Sequence, residues 1–325
     1  MHIPKIIMIE GITGSGKSNL AQWITLNLMK NNIDCRWYFE RETSNPVAPV
    51  NVIDSLLLSS IEKWKHFVNN DDMKNITTIF DGRLFHLSIH DALRKGMDSE
   101  KIIEQMSAMK YLFQGTDSCL VYMTTDRIKE LFSNTFEERN LEDWYVQQAE
   151  EADFCIKNQY KGVNAVYQLY SEVDRIQKIL FEQMDIKKIE INLTLLNWEH
   201  ESDMILKKLG ITKKIDRKID LNIYKPIIGK YKVRFGDKDI ITNIKEWNNQ
   251  IIVENHPYIV FPGFEQVLKL IPFSKNILIP RGHPLQFVFY ENSDGKIIHF
   301  KQEGLYSDFQ LLNKSMIIQE PFIKM

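Results

Sequence analysis

Near its start the chain reads Gly11-Ile12-Thr13-Gly14-Ser15-Gly16-Lys17-Ser18, which matches the pattern G-x-x-x-x-G-K-[ST] at every fixed position. An almost unbroken apolar run, Ile3 to Ile9, precedes it, as in a strand buried on both faces of a parallel sheet. Apolar residues at helical spacing follow it, namely Leu20, Ala21, Ile24 and Leu28. A strand, a glycine-rich turn and a helix form an anion site, because the turn's N–H groups and the helix N-terminus attract phosphate. This stretch therefore predicts a nucleoside triphosphate site.

All eight residues of this loop, Gly11 to Ser18, are expected to contact the nucleotide. Gly14 and Gly16 remove side chains where the backbone must approach phosphate. The Lys17 ammonium would reach the β- and γ-phosphates, and the Ser18 hydroxyl would ligate Mg²⁺. The predicted cofactors are ATP and Mg²⁺.

The composition is that of a soluble globular protein. Of the 325 residues, 44% are hydrophobic and 26% charged, with a formal net charge of −2. This balance argues against a nucleic-acid-binding protein that depends on a strongly basic surface. Cys35, Cys119 and Cys155 are odd in number and widely spaced, as in a reduced cytosolic protein. The N-terminus enters the first apolar run at once and no run long enough for a bilayer follows, so we expect a cytoplasmic protein without a membrane span.

The pattern of segments predicts two domains. Strand-like and helix-like segments alternate through residues 1–210, which indicates an α/β domain with a parallel sheet flanked by helices. Residues 211–221 are rich in Lys, Asp and Ile and are interpreted as a linker. In residues 222–325, short β-like runs are separated by turn signals. They predict a small, mainly antiparallel β-barrel or sandwich.

The clearest hairpin of the second domain joins Leu285–Tyr290 to Ile297–Phe300 through a turn that ends in Gly295. Together with Ile228-Gly229-Lys230-Tyr231 and Leu278-Ile279-Pro280, this region resembles the small lipocalin-like β domain appended to many serine-hydrolase-type proteins. The resemblance implies no catalytic residue. Two roles stay open for this domain: support of the first domain or of an oligomer, and capture of a substrate.

The first domain resembles the P-loop nucleoside and nucleotide kinase superfamily, and within it the thymidylate kinase-like branch. Four motifs carry the similarity: Ile9-Glu10-Gly11 before the loop, Arg41-Glu42-Thr43, Asp81-Gly82-Arg83 and Thr124-Thr125-Asp126. Two of them depart from that branch, because Thr43 stands where it has Pro and Gly82 is inserted between Asp and Arg. The acceptor-base contacts of the branch have no match here residue by residue. The resemblance therefore implies a P-loop kinase without naming thymidylate as its acceptor.

Phosphoryl transfer requires cations around the γ-phosphoryl oxygens. Lys17 is the first of them, Arg83 follows a strand end, and Arg139 lies in the predicted lid. Guanidinium suits the last two places because it offers a planar, bidentate fork to phosphate and stays charged.

Two carboxylates complete the predicted catalytic set. Asp81 ends an apolar strand where a Walker B carboxylate stands, and with Ser18 it is the predicted Mg²⁺ ligand; the alternatives are a helix N-cap or an ion pair with Arg83. Glu42 follows the predicted strand Cys35–Phe39, whose end faces the same crevice. It is the candidate base if the acceptor is a hydroxyl, whereas with a phosphate acceptor it would only orient Arg41 or Arg83.

Two classes of function remain open on the sequence. The preferred one is an ATP-dependent phosphotransferase that acts on a small-molecule acceptor, such as a nucleoside, a nucleotide or a similar hydroxylated compound, an antibiotic included. The alternative is a P-loop NTPase switch whose β domain recognises a partner. An N-K-x-D motif at a strand end, the mark of guanine specificity, is missing. The sequence leaves the oligomeric state open, with a homodimer compatible.

Overall fold

The computed structural model describes residues 2–40, 42–48, 56–70, 75–139, 141–193, 198–215, 220–257, 267–307, 318 and 320–325. The chain divides into two units by its internal contacts. The first comprises Met1–Glu40 and Asn45–Lys213, and the second comprises Arg41–Ser44 and Lys214–Met325. Each unit is built around its own sheet.

The first unit contains a five-stranded parallel sheet. Its strands, in chain order, are β1 (Ile6–Gly11), β2 (Cys35–Tyr38), β3 (Thr77–Asp81), β4 (Ser118–Thr124) and β5 (Lys187–Asn192). Their spatial order is β2-β3-β1-β4-β5, with all neighbours parallel. Because parallel strands end at the same edge, the carboxyl ends of β1, β2 and β3 gather in one place.

Helices connect and flank these strands. They are α1 (Lys17–Lys30), α2 (Leu56–Val68), α3 (His86–Arg94), α4 (Ser99–Met106), α5 (Met109–Phe113), α6 (Ile128–Arg139), α7 (Glu142–Glu150), α8 (Asp153–Lys157), α9 (Gly162–Gln183) and α10 (Trp198–Lys208). The longest, α9, buries one stripe that includes Val166, Val173 and Leu180. That stripe packs in the main core of the unit with Trp64 and Phe80. The predicted parallel sheet flanked by helices is thus confirmed.

The edge strand β5 differs from the other strands in its side chains. Only Ile189 and Ile191 are buried, whereas the remaining four residues of β5 are exposed. By contrast, every residue of β4 is buried. Alternation is the pattern of a strand with one solvated face, and full burial is that of a central parallel strand.

The second unit is a closed antiparallel β-barrel. After a short helix α11 (Leu221–Tyr224) and a 3₁₀ turn (Lys225–Ile227), its strands are β6 (Gly229–Phe235), β7 (Lys238–Trp247), β8 (Gln250–Glu254), β9 (Val267–Ser274), β10 (Ile277–Pro280), β11 (Leu285–Glu291), β12 (Ile297–Gly304) and β13 (Phe322–Lys324). The order β10-β11-β12-β13-β6-β7-β8-β9 closes the barrel. The structure decides for a barrel over a sandwich and confirms the hairpin of β11 and β12.

The interior of the barrel is largely aromatic. Tyr231, Phe287, Phe300 and Phe322 are fully buried and belong to one apolar cluster. The rings of Phe300 and Phe322 stack with centroids 4.3 Å apart. An eight-stranded barrel leaves an interior that side chains fill or that holds one small ligand.

Within the described ranges, none of the helices combines the length and the apolar character that a membrane span requires.

Candidate active site

The loop between β1 and α1 enters the helix through glycines in the left-handed region. Gly16 caps the N-terminus of α1 with a φ of 88°, in the left-handed region that glycine adopts without strain. Lys17 and Ser18 are therefore the first two residues of the helix, at its positive end. In the loop itself, the buried Ser15 hydroxyl makes no hydrogen bond.

Lys17 is held inside the loop. Its side chain is 6% exposed, and Nζ donates hydrogen bonds to the carbonyl oxygens of Gly11 at 2.9 Å and Ile12 at 3.0 Å. The ammonium group thus lies above the carboxyl end of β1. To contact a phosphate it would exchange these carbonyl oxygens for phosphate oxygens, so the cation is positioned before any ligand binds.

Asp81, the last residue of β3, is fully buried. Burial, together with the charge of Glu40, raises the pKa of Asp81 to about 7, while the Ser18 hydroxyl, the Lys17 charge and the Glu40 backbone N–H act to lower it. Neither carboxylate oxygen makes a hydrogen bond of normal geometry. The N-cap residue of α3 is Phe85 and not Asp81. A buried carboxylate that is ionised and lacks hydrogen bonds is unfavourable unless a cation binds it.

Gly82 explains why a glycine follows this aspartate. Its φ is 64°, and a β-carbon built there would lie 2.9 Å from Cε of Lys17 and 3.0 Å from Oε2 of Glu40. Any larger residue would displace one of these two side chains. The inserted glycine therefore lets an ammonium group and a second carboxylate approach the end of β3 together.

Glu10 fixes the segment that follows this glycine. Its carboxylate is 1% exposed and accepts hydrogen bonds from the backbone N–H groups of Leu84 at 2.7 Å and His86 at 2.8 Å. Burial raises the pKa of Glu10 to about 7, against the opposing effects of the His86 amide and the Lys17 charge. Glu10 thus holds the start of α3 against the end of β1, which also fixes the backbone that follows Arg83.

His86 joins the loop to two helices. Its Nε2 lies 3.2 Å from the Thr13 hydroxyl, and its Nδ1 lies 3.3 Å from the side-chain nitrogen of Gln177 on α9. If the Gln177 nitrogen donates to Nδ1, the imidazole proton is on Nε2 and is donated to Thr13. His86 is 3% exposed, so this contact is made inside the protein.

The oxygen groups at this edge of the sheet suit Mg²⁺. Asp81 provides a carboxylate, and Ser18 provides a hydroxyl on the side of Asp81. Hard divalent cations prefer such oxygen ligands, and the two oxygens of Asp81, which make no hydrogen bond of normal geometry, could accept one. The donor set therefore fits the ion that the loop motif predicts.

The remaining predicted residues lie in different places. Arg83 is 8% exposed, and its carbonyl oxygen accepts a hydrogen bond from the Trp64 indole at 3.4 Å. Glu42 is buried in the second unit, where it accepts a hydrogen bond from the Ser44 hydroxyl at 2.5 Å. Arg139 is the last residue of α6, and its side chain lies outside the described residues. The structure thus brings together Lys17, Ser18 and Asp81, while the roles of Arg83, Glu42 and Arg139 stay predictions.

Glu40 is the site residue that the sequence reasoning missed. The choice of Glu42 rested on its place shortly after a predicted strand and on the Arg41-Glu42-Thr43 motif. Glu40, however, directly follows the predicted strand Cys35–Phe39, just as Asp81 stands at the end of β3. Applied to the residue next to the strand, the strand-end rule selects Glu40.

The chain matches no family model and no curated protein sequence. Among solved structures it is similar to the thymidylate kinase of Ehrlichia chaffeensis, with a TM-score of 0.38 and 12% sequence identity, over 64% of this chain and 99% of that one.

Proposed function

We propose that the first unit binds ATP with Mg²⁺ through Gly11–Ser18 and transfers the γ-phosphoryl group to a small-molecule acceptor. The observation that carries this proposal is the buried Asp81, whose two oxygens make no hydrogen bond of normal geometry and which lies beside Lys17 and Ser18. A structural carboxylate would be paired. One that is left unpaired next to a phosphate loop is suited to a metal–nucleotide complex.

The proposed chemistry depends mainly on charge. Mg²⁺, when bound, would neutralise negative charge on the phosphate oxygens. Lys17 would orient and neutralise the β- and γ-phosphates, and Arg83 and Arg139 are the further cations that we assign to the γ-phosphoryl group. Glu10 would keep the turn after β3 in place during this step. Acceptors with a hydroxyl group, such as nucleosides and hydroxylated antibiotics, or with a phosphate, such as nucleotides, are the candidates.

The first test is the dependence of ADP release on an acceptor. Purified protein is incubated with Mg·ATP and pools of nucleosides, nucleoside monophosphates or hydroxylated antibiotics, and ADP and phosphorylated products are measured by mass spectrometry. We expect ADP release to rise at least about tenfold with one pool and to match the phosphorylated product mole for mole. Hydrolysis that no acceptor stimulates would instead support the NTPase switch.

A second test compares the two carboxylates that follow β2. Glu40 lies by Gly82 with Lys17, so we propose it, before Glu42, as the base for a hydroxyl acceptor. Glu40→Gln is expected to lower kcat about a hundredfold or more with little change in nucleotide affinity, since base catalysis contributes roughly 10²–10⁴-fold. Glu42→Gln is the matched control and should stay within about threefold of wild type.

The pH dependence of Mg²⁺ binding gives a second measurement on the Glu40→Gln variant. Because the Glu40 charge contributes to the raised pKa of Asp81, Glu40→Gln should also extend Mg²⁺ binding to lower pH. A large loss of kcat in Glu42→Gln, with Glu40→Gln close to wild type, would mean that Glu42 and not Glu40 is the base.

A further inference from the structure

The interior of the barrel contains a glutamine with no partner. Gln302 lies on β12 and is 5% exposed, yet neither its amide nitrogen nor its amide oxygen makes a hydrogen bond. Its side chain belongs to the same inward set as Phe300, two residues earlier on the strand. An unpaired buried polar atom destabilises a fold, and here there are two on one side chain. Because buried polar groups in proteins are almost always hydrogen-bonded, this side chain requires an explanation.

Flat aromatic rings surround this position. Gln302 is directly opposite Phe287 in the β11–β12 register. The imidazole of His256 stacks on Phe287, with centroids 5.0 Å apart, and on Phe322, with centroids 5.1 Å apart. These residues lie at the end of the barrel where β8, β10 and β12 terminate and β11 and β13 begin. The amide is therefore close to one end of the barrel, beside aromatic rings against which a planar molecule could pack.

The described part of this interior has no group to balance an ionic ligand. Among the described residues of the barrel, the buried polar side chains are Thr242, His256, His283 and Gln302, and none is Asp, Glu, Lys or Arg. Burial and the neighbouring His283 lower the pKa of His256 to about 3, so its imidazole is neutral at physiological pH. Burying a net charge without a counter-charge is strongly unfavourable. The interior is therefore suited to neutral molecules.

We propose that this end of the barrel binds a small, neutral, planar molecule that carries a hydrogen-bond donor and an acceptor side by side, as an aromatic amide or a lactam does. The Gln302 nitrogen donates to the ligand carbonyl, and the Gln302 oxygen accepts from the ligand N–H. The ring of the ligand packs among Phe287, His256 and Phe322. This site lies within the second unit and does not depend on the function proposed for the first.

The test uses benzamide as the probe and the full chain as the receptor. Wild-type protein is expected to bind benzamide saturably with a dissociation constant in the millimolar range, which suits a ligand of about nine non-hydrogen atoms. Benzoate, which is charged, and N,N-dimethylbenzamide, which has no donor, should each bind at least about tenfold more weakly. Ligand-observed NMR titrations measure all three without any mutation.

Two variants locate the site. Gln302→Leu should weaken benzamide binding at least about tenfold and should not lower the unfolding temperature, because it removes two unpaired polar atoms. Gln286→Leu is the matched control, since Gln286 lies on the neighbouring strand β11 and its amide donates to Glu303 at 3.4 Å. It should leave the benzamide constant unchanged. Gln302→Met replaces the leucine variant if that protein does not fold.

Three results would overturn the proposal. The first is no saturable binding of benzamide by wild type up to about 20 mM, well above the affinity expected for such a fragment. The second is equal binding of benzamide and N,N-dimethylbenzamide. The third is a Gln302→Leu protein that binds benzamide as wild type does, or that unfolds at a clearly lower temperature because a structural water had satisfied the amide.

Discussion

Asp81→Asn is expected to make the ligand-free protein more stable and at the same time to abolish phosphoryl transfer. Burial and the Glu40 charge raise the pKa of Asp81 to about 7, so at pH 8 the ionised form costs the folded state roughly 1–4 kcal/mol. Asparagine has nearly the same shape and no charge. We expect the unfolding temperature at pH 8 to rise by about 3–10 °C and turnover to fall about a hundredfold or more.

The sign of this effect depends on pH. A carboxylate whose pKa is raised on folding contributes stability to the folded state when it is protonated. This contribution is fully present below about pH 4 and is lost as the pH rises to about 7. The advantage of Asp81→Asn should therefore shrink towards pH 5. Thermal unfolding between pH 5 and 8 measures it, and Mg·ATP should stabilise only the wild type.

The control is Asp91, a carboxylate of the same unit whose pKa is lowered instead of raised. Burial acts to raise the pKa of Asp91, but a hydrogen bond with His90 and the charges of His90, Arg94 and Lys95 lower it overall. Asp91→Asn should therefore lose a little stability and keep its activity. A loss of stability in Asp81→Asn at pH 8 would mean that Asp81 is a structural group, contrary to our assignment.

Lys17→Met is expected to cause the other large loss. Methionine keeps the length of the side chain but removes the ammonium group, which lies within the loop on the Gly11 and Ile12 carbonyls. Without this cation we expect turnover to fall by about 10²–10³ and the affinity for Mg·ATP to weaken clearly, since the charge acts on both the bound nucleotide and the transition state. Calorimetry and the ADP assay measure the two effects.

Lys30→Met is the matched control, because Lys30 ends the same helix and is exposed. It should retain wild-type affinity and turnover. The Lys17 charge also acts to lower the pKa values of Glu10 and Asp81, so in Lys17→Met both carboxylates should titrate at higher pH. Equal affinity for Mg·ATP in Lys17→Met and wild type would contradict our assignment of the loop.

Much of the fold could be predicted because burial leaves a local mark on the sequence. The fully buried strand β4 contains the continuous apolar run Cys119–Met123, and β3 is rich in β-branched residues. The β11–β12 hairpin is marked by its turn residues. Such signals need only neighbouring residues. They do not fix exact ends, which is why Cys35–Phe39 was predicted for a strand that ends at Tyr38.

The site was harder to predict because it depends on contacts between distant segments. Lys17, Ser18 and Asp81 were found from the motif and the strand-end rule. The role of Gly82 could not be predicted from neighbouring residues, because it depends on the Lys17 side chain, whose Cε would lie 2.9 Å from a β-carbon at Gly82. Likewise, the inward position of Gln302 could be inferred from Phe300, but its lack of partners depends on every other strand of the barrel.

The exposed charged side chains of β5 affect the tendency of copies of this protein to aggregate. An unpaired strand edge is a template on which a second chain can continue the sheet, and natural proteins oppose this with charged side chains, lysine above all. Lys187, Lys188 and Glu190 are exposed along β5, and the Lys187 ammonium donates to the Lys208 carbonyl at 2.7 Å. Edge-to-edge aggregation through β5 is therefore opposed by the charges that this strand carries.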